Sequence, residues 1–138
     1  MAMYVDYLAV AAAGFLGAVT RALVSSASNG LFSSAVPFGT LVVNLTGSFV
    51  LSFFMFFSLD RLRVNPRLRL AVGTGFLGAY TTFSTFALES VELIREGQAG
   101  LFLVYLLATP LGCVLMAWLG AVLSKAVTED KSSTPENQ

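Results

Sequence analysis

Residues 73–86 read Gly73-Thr-Gly-Phe-Leu-Gly-Ala-Tyr-Thr-Thr-Phe-Ser-Thr-Phe86. The stretch lies inside a hydrophobic segment long enough to cross a bilayer, yet it suits a continuous helix poorly. Gly73, Gly75 and Gly78 each cost about 1 kcal/mol in a helix interior relative to Ala, and the β-branched pair Thr81-Thr82 is stiff. Unwound backbone at membrane depth persists only where protein buries it or where it lines a cavity. The expectation is therefore a membrane helix interrupted near the midplane. Beyond the interruption, Phe83 and Phe86 fall three residues apart and share a helical face, with the hydroxyls of Ser84 and Thr85 beside them. Free carbonyls, hydroxyls and paired aromatic edges form a combination suited to an ion.

Composition sets the class around this stretch. Of 138 residues, 12% are charged and 56% hydrophobic, and the mean hydropathy is +0.77. Those values belong to an integral membrane protein. The net charge is zero, so nucleic acid is not expected as a partner. Histidine is absent and Cys113 stands alone, which excludes a His-ligated metal site and an intrachain disulfide. There is no metal cluster, nucleophile–base set or cofactor loop, so an enzyme is not expected.

A bilayer core needs about 20 largely apolar residues per helix. Four spans satisfy this, at about Tyr4–Ser26, Pro37–Leu59, Leu70–Ile94 and Leu101–Ser124. The fold class is an all-α, four-span membrane bundle. Residues 1–126 make one unit, and the polar stretch 127–138 is expected to be a disordered tail. The first span differs from a signal peptide: no basic residue precedes its apolar run, and Asp6 stands where Lys or Arg is usual.

Two spans carry polar faces. On the first, Gly14, Ala18, Arg21 and Ser25 recur at steps of four, three and four, a face on which small residues allow close helix packing. Arg21 either snorkels to the interface or forms an electropositive vestibule that concentrates anions. On the second, Thr40, Asn44, Ser48 and Ser52 recur every four residues. A primary amide in hydrocarbon needs partners, so Asn44 either bonds a neighbouring helix or offers N–H donors to an anion.

The stretch Gly39-Thr-Leu-x-x-Asn44-x-x-Gly-Ser, followed by Gly75-Phe-x-Gly-x-x-Thr-Thr-Phe-Ser-Thr-Phe86, resembles the Fluc (CrcB-type) fluoride channels of microbes. Size, span number and motif order agree over nearly the whole chain apart from the tail. The resemblance implies a passive fluoride channel in the plasma membrane, with two subunits packed antiparallel in a dual-topology dimer and two pores per dimer. It implies a structural sodium ion at the dimer centre, held by backbone carbonyls, here those of Gly78 and Thr81. Phe83 and Phe86 would be the ring pair lining the pores, with Asn44 as a pore-lining amide. Tyr105 and Thr109, one turn apart on the fourth span, match the family's tyrosine and following serine. Cys113 stands where a further hydroxyl is expected, and Pro110 removes one helical bond beside Thr109.

The remaining charges bear on topology. Four of the eight basic residues (Arg61, Arg63, Arg67 and Arg69) lie in the middle loop. If that loop is cytoplasmic, so are both termini with Lys125 and Lys131, leaving Arg21 and Arg95 outside. A homodimer and a heterodimer with an oppositely oriented homologue are both open. Glu89 follows Phe86 by three residues, near the expected pore face, and an intramembrane carboxylate is a functional suspect. The competing function is a small dual-topology proton-coupled exporter. That class needs a carboxylate deep in its first helix, whereas the first span here carries only Asp6, near its start.

Overall fold

A computed structural model describes residues 2–31, 36–60 and 64–130, and all regular structure among them is helical. Helix α1 runs Ala2–Leu31 and α2 runs Phe38–Asp60. A short α3, Pro66–Leu70, leads directly into a π-helical segment, Ala71–Leu77, and a single turn, α4, at Gly78–Tyr80. Helix α5 spans Phe83–Arg95 and α6 spans Ala99–Asp130. By length and composition α1, α2 and α6 are each apolar enough to cross a membrane. The stretch expected as the third span, Leu70–Ile94, is a succession of helical pieces. Helix α6 carries on to Asp130, so residues 127–130 are helix where a disordered tail was expected; residues 131–138 lie outside the described residues, as do Arg61 and Arg63.

The pieces follow from the local sequence. Pro66 sits in the first turn of α3, where its missing N–H costs nothing, and the Asn65 side chain caps the helix by accepting from the Arg67 N–H at 3.0 Å. The π segment then closes its hydrogen bonds one residue further along the chain than an α-helix does. After Tyr80 the backbone turns extended at Thr81 (φ −80°, ψ 158°) and Thr82 (φ −150°, ψ 120°). The α5–α6 connection turns on Gly97, which adopts φ +73°, a left-handed conformation that glycine takes without strain. Around it the Gln98 N–H bonds Leu93 O and the Gly97 N–H bonds Ile94 O, closing the end of α5 in a Schellman turn.

Packing depends on backbone contact at small residues. Helix α1 lies chiefly against the π segment, and α2 chiefly against α6. A Cβ added to Gly75 would stand 2.8 Å from Val10 O, and one added to Gly17 would strike the carbonyl of Phe76. The α1 and π-segment backbones therefore touch through a glycine from each side. On the other flank, Gly120 of α6 rests on the α2 backbone at Phe49 and Phe53. Gly39 lies against Ser25 O, and its N–H donates to Asn29 Oδ1 at 2.7 Å, fixing α2's start to α1's end. At the opposite end of α1, Asp6 pairs with Arg67 at 2.6 Å. Of the small face expected on α1, Gly14 lies near Gly75 O and Ser25 meets Gly39; Gly17, absent from that face as read, makes its tightest contact.

Candidate functional site

The extended residues Thr81 and Thr82 sit beside α2, where Asn44 meets them. Asn44 Nδ2 donates to Thr82 O at 2.8 Å, and the Thr82 N–H donates to Asn44 Oδ1 at 2.8 Å. One buried side-chain amide thus completes both backbone groups of Thr82, as a neighbouring strand would. Buried polar groups need such partners. Of the two roles open to Asn44, bonding the neighbouring helix accounts for its carbonyl and one of its two N–H donors.

Thr82 also starts α5. Its Oγ1 accepts from the Thr85 N–H at 3.1 Å and bonds Thr85 Oγ1 at 2.9 Å. The cap and the Asn44 bond together redirect two donors of a continuous helix. In an unbroken ladder the Thr82 N–H would serve Gly78 O and the Thr85 N–H would serve Thr81 O. Here the first goes to Asn44 and the second to the Thr82 hydroxyl, so Gly78 and Thr81 each present a carbonyl relieved of its helical donor. Nearby, the Thr81 N–H and Oγ1 both point back to Leu77 O at 3.1 Å.

A cavity of about 350 Å³ opens against this junction. Asn44 and Ser48 of α2, Thr81 and Thr82, Phe83 and Phe86 of α5, and Thr109, Pro110 and Cys113 of α6 line it. The residues expected at a pore divide accordingly. Asn44, Phe83, Phe86 and Thr109 share the cavity; Ser84, Thr85 and Tyr105 lie outside its lining. The Ser84 side chain is exposed and approaches Thr82 Oγ1 at 3.3 Å, while Thr85 is engaged by the cap. The rings of Phe83 and Phe86 stand 5.8 Å apart and tilted by 49°, with Phe83 79% exposed at the mouth and Phe86 buried behind it. Thr109 Oγ1 is buried with no hydrogen-bond partner.

Behind Phe86 the track continues. Its ring packs 5.1 Å from that of Tyr105, whose hydroxyl donates to Glu89 Oε2 at 2.7 Å. Thr40 Oγ1 donates to Glu89 Oε1 at 2.8 Å. The suspected intramembrane carboxylate is thus held between α2 and α6, one hydroxyl on each oxygen. Thr40 was legible only as part of the α2 polar stripe, and its role depends on tertiary packing. The cap at Thr82 had a local signal, a Thr immediately before an apolar-periodic run.

Arg21 does not extend along α1 towards a free end. Its Nη1 donates to Thr81 O at 3.5 Å, a long hydrogen bond to one of the relieved carbonyls. Among the described residues no cluster of His, Cys, Asp or Glu is able to hold a metal ion, so a cation site here would have to be built from oxygens such as these carbonyls.

Comparisons with known proteins agree on one family. The family model described as "CrcB-like protein, Camphor Resistance (CrcB)" matches residues 8–121. A protein of Koribacter versatilis named fluoride-specific ion channel FluC is 42% identical over 116 residues, covering 84% of this chain and 91% of that protein. Proteins of the same name from Aquifex aeolicus and Thermotoga maritima are 41% and 44% identical, over 86% and 87% of this chain and 96% and 94% of theirs. The match takes in most of α1, all of α2, the junction at Thr81–Thr82 and most of α6, and this chain is a multi-pass membrane protein belonging to the CrcB-like family.

Proposed function

We propose that the protein is a passive, fluoride-selective ion channel that releases fluoride from the cytoplasm across the plasma membrane, and not an enzyme. The observation that carries this reading is the cavity at the Thr81–Thr82 junction, with a tilted phenylalanine pair, an amide and a buried hydroxyl on its walls. Similarity to proteins named fluoride-specific ion channels supports it.

The chemistry fits the anion. Fluoride is small and strongly hydrated, so a pathway must replace water with several weak donors. Aromatic rings carry a positive edge, and edges attract an anion without trapping it as a buried Lys would. Conduction needs that balance between entering and leaving. The remaining N–H of Asn44, the Thr109 hydroxyl and the Cys113 thiol supply further donors along the same wall. Tyr105, Thr40 and Glu89 continue the track towards one end.

The dimer belongs to this proposal as well. Phe83 is exposed beside a cavity open on one side, and a second, oppositely oriented chain would close it and form two pores per dimer. The carbonyls of Gly78 and Thr81, relieved of their helical donors, are oxygens of the kind sodium takes, and they would hold a structural sodium at the dimer centre. A cation there supplies fixed positive charge that offsets the anion's desolvation. Arg21 adds positive potential on the same side of the junction.

Efflux from liposomes containing the purified protein tests the function, with fluoride and chloride followed in parallel and Phe83→Ile as control. The expected result is fast fluoride release, little chloride release and a silent variant. Fluoride movement that requires a proton gradient would replace the channel with a coupled exporter, and Glu89, held by two hydroxyls, would be its proton site.

A further inference from the structure

We propose that Arg21 is a tethered competitor for the carbonyl site at Thr81, and that its guanidinium sets how tightly a cation is held there. The inference rests on the reading of Gly78 and Thr81 as sodium ligands.

Three observations lead to it. First, the glycine contacts determine where α1 delivers Arg21. Gly14 lies 3.7 Å, measured from an added Cβ, from Gly75 O, and Gly17 lies against Phe76 O. Arg21, one turn further along the same face, arrives at the end of α4 as a direct result. Second, the guanidinium is half-buried and forms no ion pair with a carboxylate among the described residues. Its hydrogen bond runs to Thr81 O at 3.5 Å. Third, that oxygen is available because the Thr85 N–H has been diverted to Thr82 Oγ1.

A carbonyl that receives a guanidinium and a metal cation on the same side brings two positive charges within roughly 5–6 Å of each other, close enough at intermediate dielectric for a penalty of more than ten-fold in affinity. The two occupants therefore alternate. With no cation present, Arg21 satisfies Thr81 O and keeps the junction intact. When a cation binds, the side chain swings away and its charge becomes available to an approaching anion. Apparent cation affinity is lowered by the share of molecules in which Arg21 holds the oxygen.

Thermal stability of the purified full-length protein, titrated with sodium against N-methylglucamine at constant ionic strength, tests this. Arg21→Gln and Arg21→Met both remove the charge, and Met keeps the aliphatic stem, which separates lost packing from lost charge. Arg21→Lys keeps the charge. The expected result is a half-maximal sodium concentration about ten-fold or more lower in both neutral variants, with Lys close to the parent protein. Neutral variants with the parent's midpoint would overturn the competition while leaving the sodium reading in place. Absence of any sodium response in the parent and all variants would overturn the sodium reading and the competition with it.

Discussion

Asn44 commits its carbonyl and one N–H to a single partner residue. Replacing it with Ala would leave the Thr82 N–H and C=O both buried and unmet, which costs about 2–4 kcal/mol. Asn44→Ala is therefore expected to lose stability in thermal or denaturant unfolding as well as fluoride flux. Thr82→Ala, which removes the cap on α5 together with the hydroxyl contacts to Thr85 and Ser84, is expected to cost about 1 kcal/mol or more, and Thr82→Ser to restore most of it. At Glu89, Tyr105→Phe removes one of two side-chain hydrogen bonds and is expected to cost about 1 kcal/mol in the same assay. Combined with Glu89→Gln in a double-mutant cycle, the two losses should be strongly non-additive, because they report one contact. At this scale the sequence was only partly readable. Asn44, Phe83, Phe86 and Thr109 could be placed at a common site from spacing and resemblance. That Asn44 bonds a backbone 38 residues away, and that Thr40 and Tyr105 converge on Glu89, are tertiary facts with no local signature.

Among the elements, glycine contacts give a graded test. Gly17→Ala and Gly120→Ala place a methyl group against backbone that cannot yield, at Phe76 and Phe49, so α1 or α6 must move away. Gly14→Ala enters ordinary contact distance, and Gly112→Ala meets only the flexible end of Leu45. The expected order of damage, by thermal unfolding, is Gly17 and Gly120 well above Gly112, with Gly14 least; overpacking of this kind costs about 1–3 kcal/mol. Equal gains at all four positions would show that helix propensity, not contact, governs these glycines. Helix existence was legible from hydropathy, whereas ends were not: α1 runs five residues past Ser26, and α6 six past Ser124. The π segment was hidden for a different reason. Its hydrogen bonds skip one residue more than an α-helix's, and a run of Ala, Val, Gly, Thr and Phe has too little polar contrast to show which period it follows.

For the whole molecule, orientation is the open physical quantity. Six of the eight basic residues fall on one side by sequence, among them Arg67, which pairs with Asp6. A homodimer of opposed chains requires insertion both ways. With Cys113→Ser as background and Glu96→Cys as a single exposed thiol, an impermeant thiol reagent applied to intact cells and then to opened ones should label about half the protein in each step. Labelling in one step alone would point to an oppositely oriented homologue as partner. The charge count pointed to a bias, and the Asp6–Arg67 pair on that side joins residues 61 positions apart, in α1 and α3.

The reciprocal bonds between Asn44 and Thr82 also bear on how the chain is made. A segment leaving the insertion machinery enters lipid with whatever backbone groups it has failed to close, and each exposed one is costly there. The stretch from Ala71 to Arg95 cannot close Thr82 from within itself. It must meet α2 to do so, and α2 is synthesised immediately before it. The two are therefore expected to enter the bilayer as a hairpin rather than one after the other, with Asn44 in the first arm meeting Thr82 in the second. On this account Asn44→Ala should reduce the amount of protein that reaches the membrane before any mature molecule has had the chance to unfold.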